Sequence, residues 1–486
     1  MAYAQPLLAA TAMTAGIAFA YRYALRAGFL NDDYGLLAQR AQYGALESLW
    51  IPWGDHFIPV YRLIVSVQWT LFGLEPAGYH ACSIALHAVN ALLLLWLGVR
   101  LLDDLPAALT GALLFAFFPL SAGTVMAMNY ASSLSATTAI LVTLHALVDR
   151  GPPPRLATHP ARLAAAAGAT AAALGCHGAA WVVVAAPLAV AWVTRSRDGI
   201  LRALGAVAAG VAAFLALRTG LARPELQHLG PIADSLATLG LPLDASGAMV
   251  ARLTVPATLT GLAGRLWYAV APAAWCIPAG AVLVAIWLAG LVRHRLAWAG
   301  AALAAATWVG LFVRRFALFP MAVMADRYWY VPALGIGLLT AAGAGISRSR
   351  AWRALTAAAL AVAISAAAGT IHRAGMKYVK RSKRADAVIA TYRDGMARYF
   401  ARVPPGARLT FENRFFSRSK VGPFVHLEQI YRLYFPERPE IRFVWPGEGP
   451  ALLVWDPVVR VRGAPPPPPA PPPSPGAQPD AGAGGR

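Results

Sequence analysis

Charge is scarce in this sequence. Only 13% of its 486 residues are Asp, Glu, Lys or Arg, against about 25% in a soluble globular domain. Cysteine is scarcer: Cys82, Cys176 and Cys276 sit in or beside apolar stretches without CxxC spacing, which argues against both a disulfide framework and a zinc site. Nothing reads as a Gly-rich phosphate loop, a zinc finger or an RNA-binding aromatic motif. The net charge of +20 therefore does not point to nucleic acid; the arginines lie between apolar blocks, as in cytoplasmic loops under the positive-inside rule.

What the chain has in quantity is apolar length. Hydrophobic residues make up 58% and run in blocks such as Ala91–Leu97, Leu163–Leu174, Val182–Val193 and Ala354–Ala368. With their flanks, these approach the roughly 20 residues that cross a bilayer as helix. In lipid such runs must be helical, because each backbone group needs an internal partner. The expected spans are 5–23, 79–99, 107–125, 132–149, 163–176, 178–194, 203–220, 274–292, 296–312, 328–346 and 354–371, about eleven transmembrane helices in an all-α polytopic membrane protein. The first block, near Leu7–Ala20, has no basic residue ahead of it and no clear cleavage site behind, and reads as a retained helix.

Loop charge orients this arrangement. Arg150, Arg155 and Arg162, then Arg195, Arg197 and Arg202, then Arg293 and Arg295, then Arg348, Arg350 and Arg353 all fall on one side, taken as cytoplasmic. The N-terminus is then cytoplasmic and the C-terminal region extracytoplasmic. Arg22 and Arg26, and the acidic Asp103–Asp104, run against the rule. Ile58–Leu74, short and carrying Arg62 and Gln68, is expected to lie along or re-enter the membrane surface within a first external loop, 24–78. A second long external loop covers about 221–273.

Residues 1–371 are thus expected to form the transmembrane domain. Residues 372–463 change character, with a charged helical stretch Arg373–Ala401, strand-like Ala407–Glu412, Ile441–Trp445 and Ala451–Trp455, and helical Phe424–Tyr434; this reads as a small extracytoplasmic α/β domain. Residues 464–486 form a Pro/Ala/Gly-rich tail, expected to be disordered.

Chemistry-bearing residues cluster on the outer side. Asp32 and Asp33 open the first external loop. They suit a helix cap, or a general base or metal ligand at the rim of a cavity. His56 and Arg62 follow in the same loop and suit either interfacial anchors or a site. His80, Ser83, His87 and Asn90 share one helical face, as a cavity lining or as ties between helices; seven residues of helix, about 10.5 Å, argue against one shared metal. Arg327, beside Tyr328 and Tyr330 at the outer start of the tenth span, either snorkels or holds a lipid phosphate, since guanidinium suits phosphate geometry.

In order, Asp32-Asp33-Tyr34, then His56 to Pro59 and Tyr61-Arg62-Leu63, then Phe72-Gly73-Leu74 to Tyr79-His80, then Leu86-His87 to Asn90-Ala91, and much later Asp326-Arg327-Tyr328 to Pro332, the motifs resemble the bacterial relatives of the protein O-mannosyltransferases, including the transmembrane TPR-containing O-mannosyltransferases. These are membrane-embedded glycosyltransferases of the GT-C class. The resemblance covers about 25–135 and 315–340; the C-terminal region is not TPR-like. It implies a GT-C-like fold in a bacterial inner membrane, a polyprenyl-phosphate-linked sugar donor, and an extracytoplasmic protein or glycan acceptor. It also implies inverting transfer with the catalytic base at Asp32 or Asp33. His56 and Arg62 would lie at the cavity mouth, and Arg327 and Tyr328 would face the donor phosphate; on the residue reading above, His80, His87, Asn90 and Tyr330 are further substrate-binding candidates. A divalent metal ion at Asp32 and Asp33 is compatible with this, without a complete ligand set in view. The chain departs from the family where a His-Pro and a later Glu are usual: Phe118 precedes Pro119, and Gly123 occupies the acidic position. Two rival readings remain, a non-catalytic lipid-binding scaffold of the same fold and a lipid or sugar transporter. A transporter predicts interrupted helices in matching inverted halves, and no such pairing is visible.

Overall fold

The computed structural model describes residues 4–30, 32–53, 56–148, 159–194, 200–224, 262–314, 328–400, 408–411, 433–434, 442–443, 452–455 and 460–462. Arg327 and the tail 464–486 lie outside them, as does most of the second expected external loop.

The described chain is mostly helical: α1 (Ala4–Tyr21), α2 (Asp32–Glu47), α3 (Pro59–Phe72), α4 (Pro76–Leu102), α5 (Leu105–Ala116), α6 (Ala122–Met126), α7 (Ala131–Leu147), α8 (Pro160–Cys176), α9 (Ala186–Thr194), α10 (Ile200–Leu221), α11 (Ile277–Arg293), α12 (Arg295–Arg314), α13 (Tyr330–Ala344) and α14 (Arg350–Phe400). Proline opens several of them at a position whose N–H has no helical partner anyway: Pro59 in α3, Pro76 in α4 and Pro160 in α8. The turn from α4 to α5 takes two aspartates. Asp103 adopts a left-handed conformation, φ 50°, which ends α4, and the Asp104 side chain accepts from the Ala107 N–H to cap α5.

Among the described residues, five helical stretches are long and apolar enough to cross a membrane: Pro76–Leu102, Met128–Leu147, Ile200–Leu221, Ala274–Arg293 and Arg350–Ala387. A sixth forms if Leu105–Ala116 and Pro119–Met126, bent by 44°, count as one span; Pro119, at the break, cannot donate to the helical ladder. The chain is a multi-pass membrane protein. The other five expected spans coincide with α1, α8, Ala180–Thr194, α12 and α13. The stretch expected to lie at the surface is α3, 14 residues long.

Small residues let α13 run through the middle of the bundle. A β-carbon on Gly111 of α5 would lie 2.3 Å from the Gly337 carbonyl oxygen, and one on Gly335 would lie 2.3 Å from that of Gly300 in α12. Such backbone approach is how helices associate in lipid, where burial of apolar surface offers no gain. The charged ends of α4, α5, α7, α8 and α14 meet at one end. Arg353 pairs with Asp104 at 2.9 Å, while Arg100 and Arg162 donate to the carbonyl of His145. The acidic Asp104, which ran against loop charge, is thus neutralised by the basic residues of a loop assigned to the same side.

Helix α14 runs unbroken for 51 residues, roughly 75 Å at 1.5 Å per residue, and so continues past the boundary expected at 372. Beyond it stand β1 (Arg408–Phe411), β2 (Arg442–Phe443), β3 (Leu452–Trp455) and β4 (Arg460–Arg462), in the order β2-β1-β3-β4. β1 is parallel to β2 and to β3, and β4 is antiparallel to β3. The first three match the expected strands; β4 was not anticipated.

Candidate active site

The acidic pair opens α2, where negative charge suits the helix dipole. Its two members have different surroundings. Asp33 is fully buried, and each of its oxygens accepts a backbone N–H: Oδ2 from Leu30 at 2.8 Å and Oδ1 from Asn129 at 2.8 Å. Its own N–H donates to the Leu30 carbonyl at 3.0 Å. Asp32 is partly exposed, and its Oδ2 accepts from the Asn129 side-chain amide at 3.2 Å. Asn129 therefore holds both carboxylates, one through its backbone and one through its side chain. Burial pushes the Asp33 carboxyl up to about 7, with the Leu30 and Asn129 N–H groups pulling the other way and the neighbouring Asp32 charge adding to the rise.

Asn129 is placed by the bend after α5. The chain turns at Phe118–Pro119, passes through α6 and a single 3-10 turn at Met128–Tyr130, and enters α7. The Tyr61 hydroxyl of α3 donates to the Met128 carbonyl at 2.5 Å and pins that turn. Phe118, where the family has His, is fully buried and packs on Trp329 with ring centres 6.5 Å apart. It fills space rather than offering a proton.

Arg62 is 3% exposed, and its Nη2 donates to Gln39 Oε1 at 2.5 Å and to the Pro52 carbonyl at 3.3 Å. It ties α3 to α2 and to the segment before His56. His56 pairs with Trp53 through two backbone bonds, 2.7 and 2.9 Å, and its ring stacks on His177 with centres 5.8 Å apart. His80, fully buried, lies edge-on to Tyr378 at 6.2 Å.

His87, Asn90 and Tyr330 do come together, but with their polar atoms committed to one another and to backbone. The Tyr330 hydroxyl is 2.8 Å from His87 Nδ1 and accepts from Asn90 Nδ2 at 3.1 Å. The second His87 nitrogen meets the Ala116 carbonyl at 2.9 Å. Asn90 donates to the Leu134 carbonyl at 2.9 Å and accepts from Thr138 at 2.7 Å. All three residues are fully buried. This network joins α4, α5, α7 and α13 inside the bundle, the helix-tie alternative for that polar face. Tyr328, just ahead of α13, is partly buried. Among the described residues no group of three or more His, Cys, Asp or Glu could hold a metal ion, so no third ligand of those types joins Asp32 and Asp33 there.

Asn129 is not marked along the sequence, because an Asn within a 3-10 turn carries no pattern. Its use is visible only once the Met128–Tyr130 turn has been brought against the start of α2.

The chain has the fold of ArnT. It aligns with ArnT from Cupriavidus metallidurans bound to undecaprenyl phosphate over 92% of each chain, with a TM-score of 0.54 at 14% identity. Against the apo form of that protein the TM-score is 0.51, again at 14% identity over 92% of each chain. The archaeal oligosaccharyltransferase AglB from Archaeoglobus fulgidus, in complex with an inhibitory peptide and a dolichol-phosphate, aligns over 88% of this chain and 64% of its own, at 13% identity and a TM-score of 0.46. No protein-family model matches the sequence, and no curated protein matches it. At this identity the likeness is one of fold. ArnT is a GT-C glycosyltransferase, so the resemblance to that class extends from five short motifs to the whole architecture.

Proposed function

We propose that this chain is a membrane glycosyltransferase that moves a sugar from a polyprenyl-phosphate carrier to a hydroxyl of an extracytoplasmic protein or glycan. The ArnT-like fold supports the class, since that relative carries undecaprenyl phosphate. The observation that carries the reading is the asymmetry of the acidic pair: Asp33 is sealed and capped by two backbone N–H groups, whereas Asp32 is partly exposed beside it. Asp32 is the base that an incoming acceptor can reach, and Asp33 anchors the turn that presents it.

In the proposed step the acceptor hydroxyl gives its proton to the Asp32 carboxylate as its oxygen attacks the anomeric carbon. The bond from that carbon to the phosphate oxygen breaks, and polyprenyl phosphate leaves with the electron pair, so the configuration inverts. Arg327 holds the leaving phosphate, with Tyr328 beside it, and stabilises the charge that develops there. In this reading His56 stands on the acceptor side, Arg62 holds α3 against α2, and His80 is a further substrate-binding candidate. His87, Asn90 and Tyr330 shape the cavity by holding their helices together. The eleven-span order, with a cytoplasmic N-terminus in a bacterial inner membrane, an outward acidic pair and an extracytoplasmic α/β domain over 372–463, belongs to the same reading.

The test incubates the purified full chain with undecaprenyl-phosphate mannose or glucose and follows release of undecaprenyl phosphate. Release by wild type and its loss in Asp32→Asn is the expected result; equal release by both sinks the base assignment. One observation favours a second reading, a non-catalytic scaffold that retains the lipid site. Phe118 is packed apolar and Gly123 carries no carboxyl, at the two places where the family pattern has side chains that can exchange protons. A protein that binds undecaprenyl phosphate without turning over either donor favours the scaffold.

A further inference from the structure

The acidic pair is preceded by a short segment, residues 27–30, with no regular secondary structure and every residue buried. Such a segment has few backbone bonds of its own, so its conformation must be set from outside. The outside partner is α14, more than 340 residues later in the chain. The Gly28 N–H donates to Ser382 Oγ at 2.9 Å, and Ser382 is fully buried. The Tyr34 hydroxyl, immediately after the pair, donates to Asp386 Oδ1 at 3.3 Å. Leu30 and Ala385 form a small buried cluster with Tyr378 packed against it. Gly28 lets the helix come this close: a β-carbon there would lie 2.2 Å from Asp386 Oδ2 and 2.8 Å from its Cγ. Leu30 in turn supplies one of the N–H groups on Asp33. The contacts thus form a continuous path from Ser382 and Asp386, through Gly28, Leu30 and Tyr34, to the carboxylates.

We propose that the Tyr378–Asp386 stretch of α14 is the brace that sets the acidic loop, with Ser382 and Asp386 as positioning residues for Asp32 and Asp33. The proposal rests on the reading of that pair as the reacting carboxylates. The two bonds are unequal. Ser382 satisfies an N–H that has no access to water, so its loss leaves a buried donor orphaned. Asp386 is itself exposed, and its bond to Tyr34 contributes less.

Amide hydrogen exchange on the full chain in detergent reads the brace without any substrate. Ser382→Ala should speed exchange across 28–34 by about tenfold or more, and Asp386→Ala by about threefold. Asp386→Asn, which keeps an acceptor oxygen, should stay near wild type, and exchange in α7 and α13 should not change. Because Asp386 is exposed, its variants remain informative if Ser382→Ala fails to fold. In the undecaprenyl-phosphate mannose assay, the loosened variants should lose kcat while the donor KM holds, with Asp386→Asn restoring the rate. Unchanged exchange in both alanine variants overturns the brace, as does loosened exchange with wild-type kcat. Asp32→Asn in the same assay separates the two ideas: if it turns over like wild type, the reading of the acidic pair has failed, whereas if it is inactive and Asp386→Ala and Ser382→Ala run at full rate, only the brace has.

Discussion

Two buried aspartates stand at opposite ends of α4, and they are treated differently. Asp104, 8% exposed, follows the last turn of α4 and meets Arg353 at 2.9 Å, with Arg348 at 4.0 Å. Asp33, fully buried, lies near the first turn of α4, where His80 approaches the Ala27 and Gly28 carbonyls. It receives two backbone N–H groups, and among the described residues it has no ion pair. A carboxylate paired with arginine ties helix ends together and serves architecture. One held only by dipoles keeps its proton affinity adjustable, and it stands beside a partly exposed second carboxylate. The comparison separates an end tied by ion pairs from the end proposed to carry the chemistry.

The largest effect should come from Asp32→Asn, which removes the reachable base and should cut transfer by about 10²- to 10⁴-fold without lowering the melting temperature. Asp104→Asn, measured beside it, should keep the rate; a reversal of the two would collapse the comparison. Asn129→Ala sharpens it at the active end. The backbone N–H to Asp33 survives while the amide to Asp32 is lost, and a fall in kcat of about tenfold is expected. A wild-type rate would show that the amide does not orient Asp32.

The third test is pH. The folded carboxyl of Asp33 sits at about 7, above 3.8 for the ordinary group. Its contribution to stability is therefore fully present below about 4 and is lost as pH rises through about 7. Melting temperatures of wild type should fall over that window, by an amount on the order of 4 kcal/mol in stability. Asp33→Asn should flatten the curve there, and an unchanged slope would assign the pH dependence to another group. The smallest effect belongs to Arg353→Ala. Its side chain is 41% exposed, so screening limits the pair, and a loss of about 1 kcal/mol with unaltered transfer is expected. A large loss of transfer would mean the two ends are coupled through α4.

Much of this architecture is legible along the chain. Apolar runs and proline starts locate the helices, because a helix in lipid is decided by a local run of residues that must satisfy its own backbone. Five of the eleven expected spans, or six with the bent pair, coincide with helices long and apolar enough to cross a membrane, α3 lies where a short amphipathic stretch was expected, and β1, β2 and β3 lie within the expected strands. Adjacent aspartates just past the first apolar block single out Asp32 and Asp33 in the same way, by local composition alone.

Tertiary structure alone decided what those residues can do. Asp32 and Asp33 are equivalent as letters; in the fold Asp33 is sealed and Asp32 partly exposed, and the Met128–Tyr130 turn brings Asn129 to both. His87 and Asn90 read equally well as cavity lining or helix tie until Tyr330, 240 residues on, is found to bond both. Ser382 and Asp386 fall in a charged helical stretch where nothing marks them, yet they meet Gly28 and Tyr34. Helix formation depends on neighbours a few residues apart, which the sequence contains. Burial and hydrogen-bond partnership depend on which distant segments meet, and that is settled by the packing of the whole bundle.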